Sequence, residues 1–157
     1  MQDARQIATD RIEQLYRERG SELLRSVLLY AGDREVANDA VAEAFAQAIR
    51  RGQALADPDR WVTKVAFRIA AGELQNRRRH DYPLAERAYT MPEPTGDLVA
   101  ALAQLSPKQR AAAVLHFRDG YTLAEVASLI GSTTSAVGVH LHRARTRLAD
   151  LLEATDD

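Results

Sequence analysis

Two helix-start signals in the C-terminal third constrain the fold of this chain more than any other feature. The segments SPKQ (residues 106–109) and TLAE (residues 122–125) each place a hydroxyl side chain three positions before a Gln or Glu. In such a capping box the two side chains pair backbone N–H groups that the first turn of an α-helix leaves unpaired. The sequence therefore predicts one helix that ends near Arg118 and a second that stops at Gly131.

The spacing of Ala127, Gly131 and Val137 predicts that the second of these helices and the one after it form a helix-turn-helix. Such a motif needs a small residue where the helices cross, a glycine at the turn and an apolar residue that closes the joint. No acidic residue occurs between Glu125 and Asp150, so the exposed face of the last helix should be basic. We interpret this face as DNA-binding rather than as the solvated edge of a plain helical hairpin.

The N-terminal half has helical periodicity of its own. Apolar residues recur at intervals of three and four over residues 11–30 and 34–51, and Asp57-Pro58 begins a third helix. Gly20-Ser21 is a possible break in the first. Residues 81–96 contain three prolines and little periodicity, which is typical of a linker. The predicted fold class is all-α, with two small helical domains (1–80 and 97–157) joined by a flexible linker (81–96).

The distribution of charge is more informative than its total. The chain of 157 residues has a formal net charge of −1, yet residues 60–80 carry +5 and residues 106–149 carry +4. Such segregation is compatible with two separate phosphate contacts. The chain has no cysteine, and charged residues interrupt the N-terminus, so we expect a cytoplasmic protein without membrane insertion. No grouping of side chains predicts a catalytic centre, a metal site or a cofactor.

The segment LSPKQRAAAVLHFRDGYTLAEVASLIGSTTSAVGVHLHRARTRL resembles region four of bacterial sigma factors. DREVANDAVAEAFAQAI and RWVTKVAFRIAAGELQNRRR are similar to two successive helices of region two. The two halves stand in the order of the extracytoplasmic-function group, which has regions two and four alone. The resemblance covers residues 12–152 and implies a sigma factor that directs RNA polymerase core to promoters and initiates transcription. An alternative is a sigma-like regulator that binds polymerase or DNA without melting the promoter.

The resemblance implies three sets of site residues and a partner for each. The minus-thirty-five promoter element would be bound by Thr134, Ser135, Gly138, Val139, His142, Arg143, Arg145 and Arg147. The minus-ten element would be bound by Arg60, Trp61, Lys64, Arg68, Arg77 and Arg78. RNA polymerase core would be bound by Asp39, Glu43 and Phe45. An anti-sigma factor is a further possible partner.

Several positions depart from the family pattern. Arg68 stands where many members carry Asn, and Gly72 stands where a polar residue is common, so the minus-ten helix could be loose or closely packed there. Gly138 and Val139 replace positions that often hold a cation and a serine, which leaves base reading to other side chains. The spacing of Trp61 with Val65 and Ile69 favours a core position over stacking on a base.

Overall fold

The computed structural model describes residues 2–52, 55–78 and 95–156, and within these ranges all regular structure is helical. Seven α-helices follow one another within the described ranges, which confirms the all-α prediction. They are α1 (Gln2–Ala31), α2 (Arg34–Arg51), α3 (Pro58–Arg78), α4 (Thr95–Leu102), α5 (Pro107–Ala113), α6 (Leu123–Ile130) and α7 (Thr134–Asp156). A π-helical turn over Val114–Arg118 extends α5.

Helices α1, α2 and α3 pack together as a bundle, and α3 begins at the predicted Asp57-Pro58. Asp33 caps α2 by accepting a 3.0 Å hydrogen bond from the backbone N–H of Val36. Gly52 ends that helix at φ 61°, a left-handed conformation that favours glycine. Asp57 accepts from the backbone N–H of Arg60 at 3.1 Å at the start of α3.

The C-terminal helices carry both predicted capping boxes. Ser106 and Gln109 pair reciprocally at the start of α5, and Thr122 and Glu125 do the same at the start of α6. Gly131 follows α6 at φ 66° and turns the chain toward α7. The helix pattern of this half is therefore confirmed.

Two details differ from the sequence expectation. Helix α1 runs through Gly20 without a break, because the ring of Tyr16 lies 3.3 Å from the position a Cβ would take and covers the glycine. Thr95 and Gly96 belong to α4 rather than to the linker. Residues 81–94, the rest of the expected linker, lie outside the described residues.

One hydrophobic cluster includes buried residues from both halves of the chain. Tyr30 of α1 is 5.2 Å from the Phe67 ring of α3, and Leu105, Leu115 and Val126 of the C-terminal half belong to the same cluster. The two halves therefore pack against each other. Each half covers apolar surface that the other would expose on its own. The division into two domains stays a prediction.

Candidate nucleic-acid interface

Helix α7 is held by one face and leaves the other open to solvent. Val137, Leu141 and Ala144 are 0–7% exposed and pack into the hydrophobic cluster. Because an α-helix turns about 100° per residue, positions 135, 139, 142, 143 and 146 lie opposite this buried stripe. Gly138 is partly buried, and the other seven predicted minus-thirty-five residues are exposed. These seven are Thr134, Ser135, Val139, His142, Arg143, Arg145 and Arg147.

Val139 stands in the middle of this open face and is 48% exposed. Gly138 lies nearer its edge, where a Cβ would come 3.8 Å from the side chain of Leu123. The departure from the family pattern therefore puts an apolar side chain, rather than a gap, at the centre of the face. An apolar side chain at such a position can contact the methyl group of thymine in the major groove.

The cations of α7 have different surroundings. The guanidinium of Arg145 lies 5.3 Å from the centre of the Phe117 ring, so its position is partly fixed. Burial lowers the pKa of His140, and the charges of Lys108 and Arg143 lower it further, while its Nδ1 is buried without a hydrogen-bond partner. His140 is therefore a structural side chain in a positive field rather than a DNA contact.

The predicted minus-ten residues divide into open and paired cations. Lys64, Arg68 and Arg78 on α3 are exposed, and all three line a cavity between the two halves. Arg77 is different, because its guanidinium lies 3.0 Å from Asp33 and 3.1 Å from Glu73. Arg77 thus joins α3 to the start of α2 and is not free to bind phosphate.

Arg60 is also paired, and its partner comes from the helix-turn-helix. Its Nη2 donates to a carboxylate oxygen of Glu125, and its Nε lies 3.8 Å from Asp57. The pKa of Arg60 is raised, chiefly by the hydrogen bond to Glu125. The ion pair directs this cation toward α6, with 42% of its side chain still exposed.

Two further positions on α3 were uncertain from the sequence. Trp61 is partly buried against the hydrophobic cluster, and Arg51 lies 5.7 Å from its ring centre, so its main role in this arrangement is packing. Gly72 is exposed, with no atom within 4 Å of where a Cβ would stand. Close packing therefore does not require glycine at position 72.

The three predicted polymerase contacts do not share one environment. Asp39 is exposed on α2, and Glu43, one turn later, accepts hydrogen bonds from Arg50 at 2.7 Å and Gln47 at 3.2 Å. The bond from Arg50 is the main reason that the pKa of Glu43 is lowered. Phe45 is only 5% exposed, with its ring 5.1 Å from that of Tyr16. Phe45 therefore packs beneath this face and is not itself available for a polymerase contact.

Apolar side chains that sequence reasoning did not select complete this surface. Tyr16 of α1 is 57% exposed and Ile49 of α2 is 37% exposed, and both line a shallow groove between the two helices. Both residues lie in the apolar stripes of their helices. Apolar periodicity alone does not show which residues of a stripe another helix covers and which stay exposed.

Sequence reasoning also missed a polar network that joins the two halves. Arg118 donates to Ser26 at 2.9 Å and pairs with Glu22 at 3.0 Å and with Asp119 at 2.7 Å. Ser26 in turn donates to Asp119 at 2.8 Å. Glu22 and Ser26 are more than 90 positions from Arg118 and Asp119 along the chain, so no local signal could have indicated these contacts.

The described residues include no group of three or more side chains suited to hold a metal ion. Among the helices of the described ranges, none combines the length and the apolar character that crossing a bilayer requires.

Comparison with known proteins gives a consistent result. The family described as sigma-70, region 4, matches residues 95–148. The ECF RNA polymerase sigma factor SigM of Mycobacterium tuberculosis is 29% identical over 160 residues, which span 95% of this chain and 82% of SigM. The RNA polymerase sigma-E factor of Streptomyces antibioticus is 28% identical over 154 residues, spanning 92% of this chain and 86% of that protein.

Two solved structures share the fold. CnrH in complex with the cytosolic domain of CnrY has a TM-score of 0.72 at 22% identity, covering 97% of this chain and 94% of CnrH. RpoE from Bartonella quintana in complex with the anti-sigma factor NepR has a TM-score of 0.72 at 18% identity, covering 90% and 96%.

The helix-turn-helix with its open basic face lies within residues 95–148, the part of the chain that matches region 4 of sigma-70 proteins. Over nearly its full length, the chain is similar to RNA polymerase sigma factors that include one of the extracytoplasmic-function group.

Proposed function

We propose that the chain brings RNA polymerase core to specific promoters as a dissociable initiation subunit, with one DNA-binding surface in each half. The observation that carries this proposal is the open face of α7, which presents cations on a complete helix-turn-helix. The similarity to sigma factors supports it.

The minus-thirty-five element would be bound by α7 in the major groove. Ser135, Val139 and His142 occupy the middle of the open face and would meet base edges. Arg143 and Arg147 lie toward one edge and Arg145 toward the other, so these cations would bind the phosphates on either side.

The minus-ten element would be bound by Lys64, Arg68 and Arg78, the open cations of α3. A positive groove is what holds a single strand once base pairs separate. Arg60 would join them only after its ion pair with Glu125 is broken, because that contact occupies its guanidinium. Arg60 therefore becomes available only when this contact between α3 and α6 opens, whereas the other three cations are already exposed.

RNA polymerase core would bind the outer face of α2 through Asp39 and Glu43, with Ile49 and Tyr16 as apolar neighbours. An exposed apolar patch beside carboxylates is typical of a protein interface. An anti-sigma factor is a further proposed partner, supported by the similar structure of RpoE, which is a complex with the anti-sigma factor NepR. The proposed initiation subunit needs no catalytic centre of its own.

The deciding experiment is run-off transcription with purified polymerase core and a library of promoter sequences. Discrete transcripts that depend on this protein would support the proposal. The second candidate, a regulator that binds polymerase without melting DNA, is favoured by the paired state of Arg60 and Arg77. Binding to core without any start site in the library would favour that second function and contradict the first.

A further inference from the structure

A cavity of about 590 Å³ lies between the two halves of the protein. One wall is the face of α3, and the other consists of the start of α5 and the end of α6. This volume is in the range of small-molecule sites. Because each half supplies a wall, the cavity exists only while the halves are packed together.

Most of the wall is apolar. Helix α3 contributes Phe67, Ala71 and Leu74, and Leu129 and Ile130 of α6 face them from the C-terminal half. A hydrocarbon body placed between these side chains would be removed from water, which stabilises the bound state by about 25 cal/mol for each Å² buried.

The polar part of the wall is cationic. Lys64, Arg68, Arg78, Lys108 and Arg110 all line the cavity, and none of the described residues that line it is acidic. Burial lowers the pKa of Arg110, and the charge of Arg78 lowers it further. Among the described residues of the wall these cations therefore have no carboxylate as counter-charge, a field that favours an anion.

Arg110 adds a buried hydrogen-bond donor that has no acceptor. Its side chain is 1% exposed, with Nε donating to the Tyr30 carbonyl at 2.7 Å and Nη1 donating to the Leu105 carbonyl at 3.1 Å. Its Nη2 has no hydrogen-bond partner. A buried donor without an acceptor is costly, so an anionic group at this end of the cavity would satisfy it.

We propose that this cavity binds a small amphipathic carboxylate, with its acyl chain between α3 and α6 and its head group beside Arg110 and Lys108. The bound molecule bridges the two halves and covers Lys64 and Arg68. A consequence, which rests on the proposed function, is that it competes with the minus-ten strand for these cations.

The test is isothermal titration of the full chain with dodecanoate, kept below the concentration at which it forms micelles. Dodecyltrimethylammonium, with the same chain and the opposite charge, is the control ligand. We expect dodecanoate to bind with one-to-one stoichiometry and at least about tenfold more tightly than the cation, a difference of about 1.4 kcal/mol.

Two variants locate the site. Ala71→Phe fills the cavity from an exposed position on α3 and should abolish binding. Lys108→Gln should weaken it by roughly threefold to tenfold, as expected for one charge-assisted contact. Arg25→Gln, an exposed change on α1 outside the cavity, is the matched charge control and should bind like the wild type. Circular dichroism of each variant checks that the fold is retained.

Several results would overturn the proposal. These are an absence of saturable binding, equal affinity for the two surfactants, or binding that Ala71→Phe leaves unchanged. Binding to phosphatidylglycerol vesicles without binding to monomeric dodecanoate would also contradict it, because that result indicates a membrane surface contact. The titration needs neither polymerase nor DNA, so its outcome is independent of run-off transcription.

Discussion

Arg110 of helix α5 donates a 2.7 Å hydrogen bond to the carbonyl oxygen of Tyr30, at the end of helix α1, and its guanidinium lies 5.0 Å from the centre of the Tyr30 ring. This contact places a buried cation of the C-terminal half against the last turn of the first helix. The two halves are therefore held together by a specific contact as well as by apolar packing.

Replacing Arg110 should destabilise the whole protein. In Arg110→Met the carbonyl oxygens of Tyr30 and Leu105 lose their buried donor. Since a hydrogen bond to a charged group contributes about 1.5–3 kcal/mol, we expect the free energy of unfolding in urea to fall by about 2–4 kcal/mol.

Arg25→Met, at an exposed site on α1, serves as the control and should change the free energy of unfolding by less than about 0.5 kcal/mol. If Arg110→Met unfolds at the same urea concentration as the control, the buried contact contributes nothing to stability.

Substitutions at Phe45 and at Asp39 should have different effects, the first on stability and the second on polymerase binding. Phe45→Ala removes a buried ring and should lower the free energy of unfolding by about 3–5 kcal/mol. Asp39→Arg reverses an exposed charge and should leave unfolding unchanged while weakening core binding by roughly tenfold.

Unfolding in urea and fluorescence anisotropy with labelled protein and core measure the two effects. Full core affinity in Asp39→Arg would remove this residue from the polymerase contact, whatever the result for Phe45→Ala.

Arg143 should contribute to DNA affinity without affecting the fold. Arg143→Ala removes an exposed cation toward one edge of the open face of α7, so binding to the upstream promoter element should weaken. The slope of log affinity against log salt should also fall by about one, as expected for one lost phosphate contact.

Arg34→Ala, an exposed change at the start of α2, is the matched control for a lost charge. Electrophoretic mobility shift over a range of salt measures both quantities, and an unchanged affinity and slope would exclude Arg143 from the interface.

Glu125→Gln should make Arg60 available for DNA. The substitution keeps the capping box, because Gln can take the same role at this position, but removes the charge that pairs with Arg60. Affinity of the isolated protein for a single-stranded minus-ten oligonucleotide should therefore rise, by about twofold to fivefold, as the competent state becomes more populated.

Glu43→Gln removes a different exposed carboxylate that pairs within α2 and serves as the control. Equal oligonucleotide affinity for Glu125→Gln and the wild type, measured by anisotropy, would show that the contact with Arg60 does not limit access.

His140 should make stability depend on pH below its ordinary pKa of 6.5. Burial and two neighbouring cations lower its pKa in the folded state, so the unfolded chain takes up a proton first. Stability should fall as pH decreases through 6.5 toward the lower, folded pKa, and should be unaffected by this group above 6.5.

Comparison of wild type with His140→Gln at pH 7.5 and pH 5.5 checks this sign. Urea unfolding should show a smaller loss of stability at the lower pH in the variant, and an equal loss in both proteins would contradict the assignment.

Local signals on the sequence were sufficient to predict the helices. Ser106 and Thr122 cap the helices that follow them, and Gly131 ends a helix with positive φ, as expected. Each of these effects acts within a few residues, so the sequence contains all the information that is needed. The same holds for the open face of α7, because helical periodicity by itself separates Val137 and Leu141 from Ser135 and Arg143.

Tertiary structure alone decided which cations are available and where the halves meet. Arg60, Arg77 and Arg78 are equivalent as sequence letters, yet Glu125 pairs with the first, Asp33 pairs with the second, and the third lines the cavity. The physical reason is that the strength of a charge contact depends on distance and desolvation, and both depend on partners far away in the chain. The sequence determined the helices and the basic face, and packing of the two halves decided what each cation can bind.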